Sequence, residues 1–282
     1  MPSLQEIRFY PVKSCAAINL THAEITPAGL RSQGVYDRQW MIVDEQGLML
    51  SQRNFPQMAR IKPRLTESEL RLSYAGLDLP ELVLPQQLEG VAMQVEIWEK
   101  FFIGLRQAQH YSDWFSAILG VRCHLVRLAP DSLRLTNPKW TEGQQAAHHF
   151  ADGYPYLICN QASLAELNQR LQQAGRDALP MDRFRANLVI DGLEAYEEDY
   201  VGQLDFANGV SLKLVKPCPR CPIPSIDQLT GEIGPDPLDI MQAYRSKAIV
   251  EDGICFGMNG IVETGAGLEL ALGMRLEATL AF

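Results

Sequence analysis

The chain has 282 residues, 46% of them hydrophobic and 21% charged, the balance of a folded globular protein rather than a disordered one. Its formal net charge of −9, with no basic stripe, excludes nucleic acid as the main partner but leaves room for a local cationic pocket around one small anion. Met1 to Glu6 show no charged-then-apolar signal pattern, and no apolar run approaches the roughly 18 residues needed to cross a bilayer. The expectation is a cytoplasmic protein with no membrane partner.

About the first hundred residues read as short strands at Ile7–Tyr10, Ala23–Thr26, Trp40–Val43, Leu48–Leu50, Leu70–Ser73 and Met93–Ile97. Asp44-Glu45-Gln46-Gly47 reads as a hairpin tip. Many short strands at close spacing predict a barrel or sandwich rather than a parallel sheet. A first helix is expected from Ser112 or Asp113 to Leu119, stopped by Gly120. From Pro130 to Ala151 the chain turns polar and irregular, which marks either an internal boundary or a long loop over an active site. His148 and His149 fall in this stretch and read as solvated loop residues, and the segment 133–150 carries no readable substrate chemistry.

Tyr156–Cys159 then reads as a strand. Asn160 caps a helix with Leu164, Leu167 and Leu171 on one face and Gly175 as its stop. Leu188–Ile190 is another strand. Leu204–Ala207 and Val210–Leu214 form a hairpin around Asn208-Gly209, the pair that a type I′ turn favours. Asp236-Pro237 opens a short helix through Tyr244, and strands return around Leu268–Leu272.

The hairpin delivers the chain into Lys216-Pro217-Cys218-Pro219-Arg220-Cys221-Pro222, read as a loop stiffened by its prolines. It sets a thiol beside a fixed positive charge, a setting in which sulfur binds soft metals or attacks electrophiles. Of the six cysteines, Cys123, Cys159 and Cys255 read as buried and inert, and the uneven spacing is unlike a secreted disulfide framework. Three chemistries compete for the pair. Structural zinc needs a second close pair of ligands, which adjacent His148 and His149 supply poorly. A thioredoxin-like dithiol needs a helix where Pro222 and Pro224 stand. The third is one cysteine ligating a metal carried by a cofactor, with Arg220 in support. Most such cofactors carry phosphate, so this reading predicts anion-binding residues elsewhere.

Such residues are present. Tyr10-Pro11-Val12-Lys13-Ser14 places a lysine and a hydroxyl after the first strand. Gly29-Leu30-Arg31 followed by Tyr36-Asp37-Arg38 brings two arginines close, one flanked by an aspartate that could orient it. Phe184-Arg185-Ala186-Asn187 offers a further arginine with an amide two residues on, on the same side if the segment is a strand. Taken singly, each arginine reads as a surface ion pair.

Together these segments resemble the MOSC-domain molybdenum-cofactor proteins, the mitochondrial amidoxime-reducing component and its bacterial YcbX-like relatives. The resemblance covers nearly the whole chain. It runs through Tyr10 to Ser14, Gly29 to Trp40, Ala151-Asp152-Gly153-Tyr154-Pro155, Ala162-Ser163-Leu164, Phe184 to Asn187, Cys218 to Cys221 with Asp227 and Thr230-Gly231, and Phe256 to Asn259. It implies a predominantly β, α+β fold, with an N-terminal β-barrel-like domain over residues 1–128 and the MOSC β-barrel domain over 129–282.

The resemblance further implies that Cys221 binds molybdenum and is the catalytic residue. Lys13, Ser14, Arg38, Gly153, Tyr154, Arg185, Asn187, Pro219 and Arg220 would bind the molybdopterin cofactor. Cys218 reads as structural, with a second thiol near the metal as the alternative. Ala186 stands where the family usually has proline. Gly153 and Tyr154 replace small hydroxyl residues, so backbone contacts are expected there. The implied activity is reduction of the N–O bond in a small N-hydroxylated substrate; the alternative is a non-catalytic carrier of the cofactor or its sulfur. No cysteine follows Cys255 and no Cys-x4-Cys-x2-Cys spacing occurs, so electrons are expected from a separate donor protein of ferredoxin or flavodoxin type with its reductase.

Overall fold

The strand Ser3–Phe9 opens the computed structural model, which describes residues 1–86, 89–132 and 134–281. Leu4, Ile7 and Phe9 are buried, and a register shift between Leu4 and Glu6 absorbs the odd spacing where this strand pairs with Leu188–Asp191. A bulge of this kind keeps the apolar face inward when the period of two slips by one residue.

Strands of the described residues form four sheets. The nine-stranded one runs Ile18–Leu20, Ser3–Phe9, Leu188–Asp191, Tyr156–Asn160, Gly253–Thr264, Ser211–Pro219, Val201–Phe206 and Leu276–Leu280, with Ser246–Lys247 paired off this path. Its one parallel pairing, Tyr156–Asn160 with Leu188–Asp191, is bridged by the helix Gln161–Gln173, the crossover that parallel neighbours need. A second sheet orders Val91–Ile97, Lys100–Arg106, Cys123–Leu128 and Trp40–Asp44. The chain is predominantly β, as expected, and among the described residues the sheets are open paths rather than closed barrels. Strands cross residue 128 in both directions: Ser3–Phe9 joins the nine-stranded sheet, and Glu269–Ala271 pairs with His22–Thr26.

Several local expectations change. The first helix spans Gln109–Leu119, starting earlier than Ser112, with no side-chain cap at Ala108. The Ser112 hydroxyl that read as a start signal instead accepts the Leu125 backbone N–H at 3.4 Å. Leu48–Leu50 makes only isolated bridges, Val43 with Met49 and Leu48 with Glu96. At the Asn208-Gly209 tip only Gly209 takes a positive φ, +91°, and its N–H donates to Phe206 O at 3.0 Å. This is a three-residue loop with glycine in the left-handed position, not a type I′ turn. The helix Leu238–Arg245 begins as expected, with Asp236 Oδ1 accepting from Leu238 N at 3.0 Å.

The central strand Gly253–Thr264 has no clean alternation, because residues 255–258 are all buried. Gly257 has φ +76°, and a Cβ there would lie 2.6 Å from Cys159 Sγ and from Ile158 O. The close approach of the neighbouring strand requires glycine.

Candidate functional site

After Phe9 the chain leaves its sheet and docks on the strand Trp40–Asp44: Trp40 N donates to Pro11 O at 3.1 Å, and Lys13 N to Trp40 O at 2.8 Å. Ser14 then takes φ +67°. This path turns Lys13 inward, where Nζ donates to Phe150 O at 2.8 Å and Asp152 Oδ1 at 2.6 Å. Burial lowers the Lys13 pKa, and the Asp152 carboxylate opposes that. The Asp152 side chain itself is largely exposed, and Lys13, then Arg38 and Arg53, hold its carboxyl well below the usual range.

Arg38 and Arg185 are both held at positive φ, +51° and +55°. Arg185 follows the short helix Met181–Phe184, so Phe184–Asn187 is not the strand its spacing suggested. The two guanidinium carbons lie 4.3 and 4.4 Å from the centroid of one buried ring, Tyr10. Arg38 Nη1 pairs with Asp37 Oδ2, and its Nη2 donates to Arg185 O at 3.3 Å. Burial works against the Arg38 charge, but Asp37 and Tyr10 outweigh it and its pKa rises. Arg185 has only the neutral Gln228 Oε1, at 3.1 Å, as its side-chain hydrogen-bond partner, and burial lowers its pKa, with Arg38 adding to the effect. The Tyr10 hydroxyl is buried and has no partner among the described residues.

The cysteine motif begins on the strand Ser211–Pro219 rather than in a free loop. Register shifts between Leu214 and Lys216 and between Pro217 and Pro219 accommodate its prolines, which cannot donate to a regular ladder. Arg220 N donates to Ile254 O at 2.8 Å, and the guanidinium donates to Phe184 O at 2.8 Å and Cys218 Sγ at 3.2 Å. Arg220 thus ties the motif to Phe184, itself stacked on Phe256 at 3.9 Å, and leaves Cys221 half-buried and unpaired with any cysteine.

These segments enclose one cavity of about 500 Å³, and Lys13, Ser14, Arg38, Arg185 and Asn187 line it. So do Gly153, Tyr154, Pro219, Arg220 and Cys221, so all ten residues picked from the sequence meet there. Asn187, however, spends its amide on the wall: Oδ1 accepts from Leu157 N at 3.2 Å and Nδ2 donates to Arg8 O at 3.4 Å. A Cβ at Gly153 would meet nothing within 4 Å, so the space beside that backbone is open. Tyr154 keeps its hydroxyl buried without a partner, and burial pushes the phenol up to about 12.

Sequence reasoning did not assign Arg53, Trp98, Asp152 or Lys216 a role, and all four line the cavity. Asp152 and Lys216 lie inside segments that were singled out, without a role of their own, whereas Arg53 and Trp98 carry no local signal. Lys13, Arg38, Arg53, Arg185, Lys216 and Arg220 share that wall with a single carboxylate, Asp152. Arg31 lies elsewhere, paired with Glu24 at 2.5 Å. His148 is buried and His149 largely so, contrary to the solvated reading; burial first, and nearby arginines second, push them down to about 3 and about 4. Leu133, at the start of that loop, lies outside the described residues. Cys15, Cys123, Cys159 and Cys255 are buried, with burial raising Cys15 to about 12. Among the described residues no group of three or more His, Cys, Asp or Glu could hold a metal ion by itself. Nor is any helix among them long and apolar enough to cross a membrane.

Comparison with known proteins places matches over most of the chain. A family model described as the MOSC N-terminal beta barrel domain matches residues 1–122, and one described as the MOSC domain matches 145–270. The mitochondrial amidoxime reducing component 2 of Bos taurus is 30% identical over 281 residues, covering 95% of this chain and 81% of that protein. Its Homo sapiens counterpart is 31% identical over 249 residues, covering 86% and 72%. The molybdenum cofactor sulfurase of Bos taurus is 31% identical over 260 residues, which is 85% of this chain but 28% of that protein.

Proposed function

The chain belongs to the MOSC-domain family, and from that premise we propose that it is a molybdenum-cofactor-dependent oxidoreductase that reduces N-hydroxylated compounds. The observation that carries this reading is the meeting of Lys13, Arg38, Arg185 and Cys221, from four distant parts of the chain, on one cavity. The wall fits a phosphate-bearing cofactor with a soft metal. Its cations outnumber its carboxylates, and the buried Tyr154 hydroxyl and Arg220 Nε have no partner among the described residues. An uncompensated polar atom in such a wall is costly unless a ligand or water meets it.

In this reading Arg38 and Arg185, side by side on Tyr10, grip the phosphate, because a guanidinium fork matches its oxygens. Lys13 adds a point charge kept in place by Asp152. Cys221 supplies a sulfur ligand, and Arg220 fixes the segment that presents it. When bound, the molybdenum–pterin cofactor supplies a two-electron redox centre. Two electrons and two protons convert an amidoxime to an amidine and water, and the electrons come from a separate donor protein of ferredoxin or flavodoxin type. The relatives named above as mitochondrial leave the cytoplasmic expectation resting on the sequence alone.

The test is Cys221→Ala. We expect molybdenum content and amidoxime reduction, driven by reduced methyl viologen, to fall to background with the fold preserved by circular dichroism. Near-wild-type turnover in that variant would defeat the proposal. The sulfurase match favours a second reading, a carrier of the cofactor or its sulfur. A wild-type protein that holds molybdenum but reduces no N-hydroxylated compound would select it.

A further inference from the structure

The hairpin of Val91–Ile97 and Lys100–Arg106 closes through only two residues, with Ile97 opposite Lys100. Both turn residues, Trp98 and Glu99, have positive φ, +52° and +61°. That is type I′ geometry, which Asn-Gly satisfies and which a tryptophan followed by a glutamate resists. Core burial does not explain the choice, because Trp98 remains 41% exposed. The indole instead lies against the site: Arg53 Cζ is 4.3 Å from its ring, and Nε1 donates to Asp152 Oδ1 at 3.3 Å. Asp152 is also the partner of Lys13, so the tip is fastened to the same carboxylate that steadies the cofactor-side lysine.

Trp98 also lines a second, smaller cavity of about 180 Å³ that shares Asp152, Gly153, Tyr154 and Lys216 with the first. Of the aromatic residues on the main wall, Phe184 is fully buried and Tyr154 nearly so, which leaves Trp98 the most exposed of the three, with Arg53 packed against its ring. We propose that Trp98 is a specificity-determining residue, the wall against which a planar conjugated substituent of the substrate stacks. This rests on the reductase reading and predicts a discrimination within its substrates: those carrying an aromatic ring are favoured over small aliphatic ones.

Trp98→Asn removes the ring and suits the turn, and Trp98→Phe keeps a stacking face. For wild type and both variants, kcat/KM is measured with benzamidoxime and acetamidoxime under reduced methyl viologen, and benzamidine affinity is measured by calorimetry. In Trp98→Asn the benzamidoxime-to-acetamidoxime ratio should fall about tenfold, mainly through KM, and benzamidine should bind about tenfold more weakly. Trp98→Phe should recover most of both, and Trp98→Asn should melt no lower than wild type. Equal losses on both substrates, unchanged benzamidine affinity, or a large drop in melting temperature with the ratio intact would each overturn the proposal and mark the indole as a strut. If wild type reduces neither amidoxime the reductase reading fails, and calorimetry alone then decides the role of Trp98.

Discussion

Around Asp199 the buried charges are paired within the fold. Arg245 donates to its carboxylate at 2.6 and 3.0 Å and to Cys255 O at 2.9 Å, and Lys247 Nζ stands 2.8 Å from Asp199 Oδ2. Next to it Glu198 accepts Ser163 Oγ at 2.7 Å on both oxygens, with Asn160 Nδ2 at 3.3 Å. Around the cavity six cationic side chains face Asp152 on the wall, with Asp37 behind Arg38 as the one further carboxylate partner named, and Ser14, Arg38 and Arg185 take left-handed backbone conformations. The first cluster is closed and serves the fold. The second is strained, carries surplus charge and awaits a counter-charge from outside, which is how a binding site differs from a structural ion network.

The contrast can be broken most forcefully at Asp199. Asp199→Ala strands Arg245 and Lys247 beside a void and should cost about 3–5 kcal/mol in urea unfolding; a loss below about 1 kcal/mol would erase the distinction. The next largest effect is one of pH. Burial foremost, with Asp199 adding, raises the Glu198 carboxyl to about 7. Its unfolded value is about 4.3, so between these the folded state binds more protons than the unfolded. The stabilisation is complete below the unfolded value and lost as pH rises through the folded one. Wild type should therefore lose up to about 3 kcal/mol more than Glu198→Gln between about pH 4 and 8. Parallel stability profiles would show the carboxyl to be ordinary.

On the cavity side the sign should reverse. Arg185→Ala removes a buried cation without a carboxylate partner, so the ligand-free protein should keep its stability or gain up to about 1 kcal/mol. Cofactor retention after dialysis should nevertheless weaken by about tenfold or more, as expected for lost charge-assisted hydrogen bonds. A marked loss of stability would place Arg185 with the structural network instead. The smallest effect is expected at the hairpin tip, where Glu99→Gly should stabilise by about 1 kcal/mol by relieving a positive φ. A decrease in melting temperature would mean that the Glu99 side chain holds the turn.

Much of this was legible in the residues. The Asn160 cap is present: its side chain accepts from Ala162 N at 3.2 Å, and Leu164, Leu167 and Leu171 are buried as their spacing required. The Asp44–Gly47 tip closes with Gly47 N donating to Asp44 O at 3.1 Å. The cysteine motif and the flanking arginines pointed to anion and soft-metal chemistry, and the ten residues that the family resemblance singled out share one cavity. What misled was local ambiguity. Ser112 has the form of a cap but serves a neighbouring strand, and His148 sits in a polar stretch that tertiary contacts bury.

Side-chain type and short-range spacing are properties of the chain itself, so the sequence alone determined the chemistry on offer, the turn and cap residues and the predominance of strands. Which distant segments become neighbours depends on how the sheets satisfy their edges and bury their apolar faces, and that is settled only when the whole chain packs. Packing placed Ser3–Phe9 beside Leu188–Asp191, set Arg38 and Arg185 on the same tyrosine ring, and brought Trp98 to Asp152. The reason is energetic: the left-handed conformations at residues 14, 38, 98 and 185 are locally unfavourable and persist only where long-range contacts outweigh them.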